Sequence, residues 1–279
     1  MVATPIGNLA DITLRALHVL QLADAIACED TRHTQALLRS YGLERPGSQL
    51  LAVHQHNEQE AAQTVVQRLQ AGQRIAYVSD AGTPGVSDPG ARLVAAVRAA
   101  GLRALPLPGA SSVTTALSVA GAVAQGVEAS GFVFAGFLPA KPGERAQAVA
   151  TLAQEPRCVV LLEAPHRIAE LAQSLATLGT RPVTLGRELT KQFEEVVTQP
   201  ASELPAWLAG APQRTRGEFV VLLHPAATAG DAGEGLRVLR LLLQELPVKT
   251  AVRLAAEITG EPRNALYAAA LALKHEDSE

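Results

Sequence analysis

The first 120 residues alternate short apolar runs with apolar residues at helical spacing, and this rhythm constrains the fold more than any other feature. Residues 24–28, 49–53, 74–79 and 103–107 are predicted strands, and residues 31–41, 58–71 and 89–100 between them are predicted helices. Strand, helix and strand in repetition build a mostly parallel sheet covered on both faces, because parallel neighbours need long crossovers. A first strand should precede Pro5, but only four residues are available for it. Either the sheet begins with a stub or the chain starts a few residues late.

Beyond about Ala122 the rhythm changes. Residues 131–136, 157–162, 182–188, 194–198 and 218–223 are predicted strands, with helices at 144–153 and 166–178. Adjacent strands with short connections predict a mixed sheet, hence a second α/β domain. An Ala- and Gly-rich stretch at 224–235 reads as a linker, followed by helical patterns at 236–245, 248–258 and 262–273. The last two are separated by Thr259-Gly260-Glu261, a spacing like that of a helix-turn-helix unit. The expected organisation is a parallel-sheet α/β domain over 1–118, a mixed-sheet α/β domain over 119–225, a linker over 226–235 and a helical domain over 236–275.

Composition narrows the function classes. With 24 Lys plus Arg against 27 Asp plus Glu the net charge is −3, so a surface that coats polyanions broadly is disfavoured. One Trp, three Tyr and five Phe leave little for extended aromatic stacking platforms. Cys28 and Cys158 form no CxxC pair, which excludes a readable disulfide framework or cysteine zinc site. The N-terminus lacks a basic segment followed by an apolar stretch, so no signal peptide is read and a reducing cytoplasm is expected. The uncharged stretch 104–127 carries Pro106, Pro108, Gly109, Ser111, Ser112, Thr114 and Thr115 in its first half, which predicts a strand, a turn and a buried helix, not a membrane span.

Several polar or glycine-rich segments follow predicted strands directly, where open parallel sheets bind ligands. They begin with Thr4-Pro5-Ile6-Gly7-Asn8. In Ser79-Asp80-Ala81-Gly82-Thr83-Pro84-Gly85-Val86-Ser87-Asp88-Pro89-Gly90, glycines and prolines surround carboxylates over a length no simple turn needs. In Pro106-Leu107-Pro108-Gly109-Ala110-Ser111-Ser112, either serine can cap the next helix or offer a ligand its hydroxyl. Cys28-Glu29-Asp30-Thr31-Arg32-His33 gathers carboxylates, Arg and His, with Asp30 also placed to cap a helix. His54 and His56 would bind metal only with a third ligand from elsewhere, so a surface loop is the better reading and no metal site is assigned. Glu163-Ala164-Pro165-His166-Arg167 and Arg187-Glu188-Leu189-Thr190-Lys191 follow strands of the second domain. GxGxxG, GxxxxGK[ST] and Gly-x-Ser-x-Gly are absent, which counts against a standard dinucleotide fold, a P-loop and a hydrolase elbow.

Together these segments, with Gly217-Glu218, resemble in order and spacing the bacterial 16S ribosomal RNA cytidine 2′-O-methyltransferase family of the tetrapyrrole methylase superfamily. The resemblance covers nearly the whole chain. It departs where Ser79-Asp80-Ala81 stands for the Gly-Asp-Pro of many relatives, and at the short first strand. It implies S-adenosylmethionine held in a cleft between two α/β domains, a homodimer, and ribose methylation of a cytidine in 16S ribosomal RNA near the decoding centre, within the small subunit. By position it implies cofactor contacts from Pro5 and Ile6, from Asp80, Ala81, Gly82, Thr83 and Pro84, from Ser111 and Ser112, and from Leu162, Glu188 and Gly217.

Methyl transfer to a ribose hydroxyl is an in-line displacement helped by a base and by a cation near the developing alkoxide. Asp30 or His33 as base and Lys191 as electrostatic helper are the candidates. For RNA contact the candidates are Arg32 and Arg167 near the cleft mouth, and Arg237, Arg240, Lys249, Arg253, Arg263 and Lys274 on the helical unit. That unit serves either RNA docking or dimer stability. The competing readings are a tetrapyrrole-type small-molecule C-methylase and a ligand-sensing helix-turn-helix regulator. The charged segment at 29–33 argues against the first. The apolar character of residues 262–273 argues against the second.

Overall fold

Ala25–Cys28 (β1) is a run of four wholly buried residues, as a strand covered on both faces requires. In the computed structural model, which describes residues 1–54, 57–123, 131–226, 234–260 and 262–276, helix Leu14–Leu22 (α1) leads into β1. Thr31–Ser40 (α2), Leu50–Ala52 (β2), Glu58–Gln70 (α3), Ile75–Val78 (β3) and Gly90–Ala99 (α4) follow. β2, β1 and β3 form a parallel sheet in that order. His56, most of the linker (227–233) and the Lys274 side chain fall outside the described residues.

The predicted strand at 103–107 does not form. Only Leu107 pairs, through a parallel bridge to Val2, because Pro106 and Pro108 beside it lack ladder donors. The first strand is likewise a stub: Val2 donates to Tyr77 O at 2.8 Å, and Thr4 pairs with Gly82. Residues 104–123 therefore contribute a bridge, a connecting loop and helix Ser112–Ala120 (α5).

The second sheet contains Phe132–Gly136 (β4), Cys158–Glu163 (β5), Pro182–Arg187 (β6), Glu195–Pro200 (β7) and Phe219–Leu223 (β8), in the order β4-β5-β8-β6-β7. β4 and β5 are parallel, while β8 runs antiparallel to β5 and β6. Pro142–Leu152 (α6), Ile168–Leu175 (α7) and Leu204–Ala209 (α8) accompany it. Val159, Leu161, Leu171, Leu175, Val183, Leu185 and Val221 pack one face, and Val160, Val220 and Leu222 meet α5 on the other. This arrangement brings the carboxyl ends of β4, β5 and β6 and the start of β8 to one edge.

Glu234–Leu243 (α9), Val248–Thr259 (α10) and Arg263–Glu276 (α11) enclose their own core of Leu239, Ala251, Val252, Ala255, Leu266 and Ala270. Among the described residues, no helix is long and apolar enough to cross a membrane.

Candidate active site

Two adjoining cavities open where the strand-end loops of both sheets meet. One, of about 300 Å³, is lined by Glu29, Ser79 to Thr83, Asp88, Ser111 and Ser112. The other, of about 330 Å³, is lined by Ile6, Glu163, Leu189, Glu218, Phe219 and Val220. Ser112, Phe137 and Leu162 line both. Together they fall in the size range of small-molecule sites. A larger hollow of about 1080 Å³ lies between α3 and α4 and is lined by residues of those helices and by Asn57, apart from the loops after β3, β5 and β6.

The first cavity is shaped by hydrogen bonds that tie one loop to the next. Asp88 accepts from the Gly85 amide at 2.7 Å, the Gly90 amide at 2.8 Å and the Tyr77 hydroxyl at 3.1 Å. Burial, with Asp88 beside it, pushes the Tyr77 hydroxyl far up, so it stays a donor. Asp80 accepts from the Asp30 amide at 3.1 Å, joining the turn after β3 to the start of α2. Thr83 donates to Ala110 O at 2.9 Å, joining the same turn to the loop before α5. These bonds account for the length of the 79–90 segment: it is a built wall.

Three carboxylates, Glu29, Asp80 and Asp88, line this cavity. Burial, then the charges of Asp80 and Asp88, pushes the Glu29 carboxyl up. Such a wall suits a ligand with positive charge, while the hydroxyls of Ser111, Ser112 and Thr83 suit its polar remainder. A sulfonium and an ammonium on an adenosine frame match that set of carboxylates and hydroxyls, with Ile6, Leu162, Leu189 and Val220 offering apolar surface in the second cavity.

Glu188 organises the opposite rim. Its backbone takes φ 51°, rare for a non-glycine residue. Its carboxylate accepts from Lys191 Nζ and the Glu218 amide, both at 2.9 Å, and its amide donates to Glu218 O at 3.0 Å. Burial pushes the Glu188 carboxyl up, but the Lys191 bond, the Glu218 amide and nearby cations outweigh it and hold it low. Gly217 has φ 93°, and a Cβ there would sit 2.5 Å from Glu188 Cγ, so glycine is required for this close approach. Lys191 also pairs with Glu218 at 3.1 Å. Burial lowers its ammonium, yet the two carboxylates together hold it above its usual value.

Of the residues expected to hold the cofactor, Ile6, Asp80, Ala81, Gly82, Thr83, Ser111, Ser112 and Leu162 line the cavities, while Pro5, Pro84, Glu188 and Gly217 stand outside the lining. Asp30 is the N-cap of α2 and His33 lies on its first turn, both of them outside the two cavities. Asp30 spends one oxygen capping that helix through the Arg32 and His33 amides, at 2.8 and 3.4 Å. Arg32 is exposed and pairs with Asp30 at 3.3 Å. Arg167 turns inward: its Nη2 donates to Leu138 O, and Nε lies 3.2 Å from Glu163. Arg237, Arg240, Lys249, Arg253 and Arg263 are exposed on the helical unit, the last two sharing Glu257.

Glu29, Glu163 and Leu189 stood in the strand-end segments singled out from the sequence, without a role of their own, while Phe137, Phe219 and Val220 were not singled out. Position was the signal for these three: Phe137 directly follows β4, and Phe219 and Val220 open β8. Among the described residues, no group of three or more His, Cys, Asp and Glu side chains is arranged to hold a metal ion.

Residues 1–205 match the family model of the tetrapyrrole (corrin/porphyrin) methylases, and residues 229–274 match that of the RsmI C-terminal HTH domain. The chain is 48% identical over 271 residues to ribosomal RNA small subunit methyltransferase I of Xylella fastidiosa (strain Temecula1), covering 96% of each chain. The structure resembles a cobalt precorrin-4 methyltransferase of cobalamin biosynthesis with a TM-score of 0.58 at 17% identity, covering 79% of this chain and 92% of that one. It also resembles uroporphyrin-III C-methyltransferase from Thermus thermophilus complexed with S-adenyl homocysteine, with a TM-score of 0.52 at 18% identity, covering 79% and 94%.

Proposed function

Because the chain belongs to the tetrapyrrole methylase family, and within it to that of ribosomal RNA small subunit methyltransferase I, we propose that it methylates the ribose 2′-oxygen of a cytidine in 16S ribosomal RNA, using S-adenosylmethionine. The observation that carries the reading is the pair of adjoining cavities, one walled by carboxylates and hydroxyls and one largely apolar. The cofactor supplies an electrophilic methyl group on a sulfonium. The protein's part is to hold the acceptor oxygen in line with it and to exclude competing geometries.

Glu29, Asp80 and Asp88 would attract the cofactor's positive charge, and Ser111, Ser112 and Thr83 would bond its polar ends. Ile6, Leu162 and Val220 would offer its adenine an apolar surface. Lys191, held between Glu188 and Glu218 at the rim of the apolar cavity, stabilises negative charge growing on the ribose oxygen. Asp30, the N-cap of α2, or His33, on its first turn, takes up the hydroxyl proton from the other rim. The exposed cations of α9, α10 and α11 dock the unit on RNA phosphates. Incubation with labelled S-adenosylmethionine and small ribosomal subunits lacking the modification tests the reading: label enters the RNA, and its absence from RNA contradicts it.

A further inference from the structure

Phe137 follows β4 directly, lines both cavities and remains 51% exposed. The exposed aromatics among the described residues include Phe132, Phe193 and Tyr267, yet of these four Phe137 alone lines either cavity. Exposure alone would be ordinary for a surface phenylalanine; what sets this ring apart is that it lies where the two cavities adjoin, within reach of whatever enters them.

The backbone that presents the ring is held firmly from behind. Leu138 is buried in the core of the second sheet, and its carbonyl accepts from Arg167 Nη2. Arg167 is held in turn by Glu163, with Nε 3.2 Å from Oε1. The Glu163 side chain is fully buried, and its Oε1 also accepts the Ala164 amide at 2.9 Å. Its Oε2 has no hydrogen-bond partner, and Arg167 Nε, close as it is, makes no well-aligned hydrogen bond. A carboxylate withdrawn from water with an oxygen left over opposes folding unless a cation is fixed against it. The product of this arrangement is a loop pinned through the Leu138 carbonyl that carries one aromatic ring over the cleft.

We propose that Phe137 is the platform on which the base of the target nucleotide stacks, positioned at the cleft mouth by the Glu163–Arg167 pair acting through the Leu138 carbonyl. This rests on the RNA-methylation reading above. Single-stranded or extruded bases are held on aromatic side chains, and stacking tolerates any base because every base has a flat face. The ring therefore fixes the nucleotide's depth and tilt while other contacts choose which nucleotide enters.

The test measures kcat/KM for subunit RNA and, separately, the affinity for S-adenosylmethionine. Phe137→Ala lowers kcat/KM by roughly 5- to 150-fold, the range of one lost base–aromatic stack, and leaves cofactor affinity unchanged. Phe137→Tyr and Phe137→Trp restore the rate, and Phe137→Leu, apolar but not flat, does not. Arg167→Lys keeps the charge but lacks the fork that spans Glu163 and Leu138 O, so it lowers kcat/KM with the wild-type Phe137 in place. Full activity in Phe137→Leu overturns the stacking role. Weakened cofactor binding in Phe137→Ala, with the rate recovered at saturating cofactor, makes the ring a cofactor wall and also overturns it. Full activity in Arg167→Lys overturns the positioning role. Failure of the wild-type protein to label RNA contradicts the methylation reading instead, so the two failures are distinct.

Discussion

A Cβ placed on Gly7 would lie 2.4 Å from Cγ of Lys191, so the turn after the first stub strand and the loop after β6 touch at a point where no side chain fits. The same Cβ would lie 2.9 Å from Thr190 Oγ1 and 3.1 Å from the Leu189 carbonyl, so moving Lys191 alone does not relieve the clash. Ile6 and Leu189 flank this contact and line one cavity. The gap between the two loops thus sets the cavity's width. Gly7→Ala overpacks the contact at a cost of about 1–3 kcal/mol and moves the loops apart. Cofactor affinity measured by calorimetry should fall about tenfold, or about 1.4 kcal/mol. Unchanged affinity would show that the contact does not govern the cavity.

Glu29 sets an acid limit on cofactor binding. Its carboxyl is raised above the ordinary 4.5 by burial and then by Asp80 and Asp88. A cationic ligand favours the charged form, so affinity is full above the raised value and falls as pH drops through it. The decline therefore begins at a higher pH than an ordinary carboxylate would give. Glu29→Gln flattens that limb. For folding the sign is opposite: a raised carboxyl favours the folded state where it is protonated, and that contribution is lost as pH rises. Glu29→Gln should accordingly leave stability at neutral pH no lower than wild type, read by thermal melting.

His224 gives folding stability a pH dependence of its own. Its Nε2 lies 2.7 Å from Thr184 Oγ1, which lies 2.7 Å from Thr198 Oγ1. Burial first, and then Arg181, lowers its value from 6.5. Above 6.5 the ring is neutral whether folded or unfolded. As pH falls below that, the unfolded chain gains a proton that the folded chain resists, so stability declines and then levels off beneath the lowered value. His224→Asn should remove this slope from denaturation midpoints measured between pH 7.5 and 5. A slope that persists would assign the effect elsewhere.

The helical unit should grip RNA through charge. Arg240 and Lys249 are exposed, on α9 and at the start of α10. Reversing both to Glu should weaken subunit binding and reduce the slope of log affinity against log salt by about one per lost phosphate contact. Cofactor affinity should not change. An unaltered salt slope would favour a role in dimer stability.

The strand and helix rhythm of the sequence located β1, β2, β3 and all five strands of the second sheet within about two residues, because each is a short apolar run bounded by polar or turn residues. Residues 103–107 failed as a strand because two prolines outweigh apolar composition there. α1 and α8 escaped notice: α1 buries only Ala16 and Leu20, and α8 only Leu204 and Leu208, too few for a legible period. The glycine-rich and serine-rich cavity walls were legible because a long run of turn residues has few structural uses. Phe137 was not, since a lone Phe past a glycine looks ordinary until the sheet order places it beside the cleft, whereas Glu163 stood in a singled-out strand-end segment without a role of its own. Arg167 shows the reverse case, a surface-like cation in sequence whose guanidinium turns inward to Glu163 and Leu138.

Nucleoside mapping of small-subunit RNA methylated in vitro identifies the atom that accepts the methyl group. After transfer from labelled S-adenosylmethionine to subunits lacking the mark, the RNA is digested to nucleosides and the label identified by mass. All label is expected in 2′-O-methylcytidine. Label on a base carbon or nitrogen, or on the ribose of another nucleoside, would contradict it.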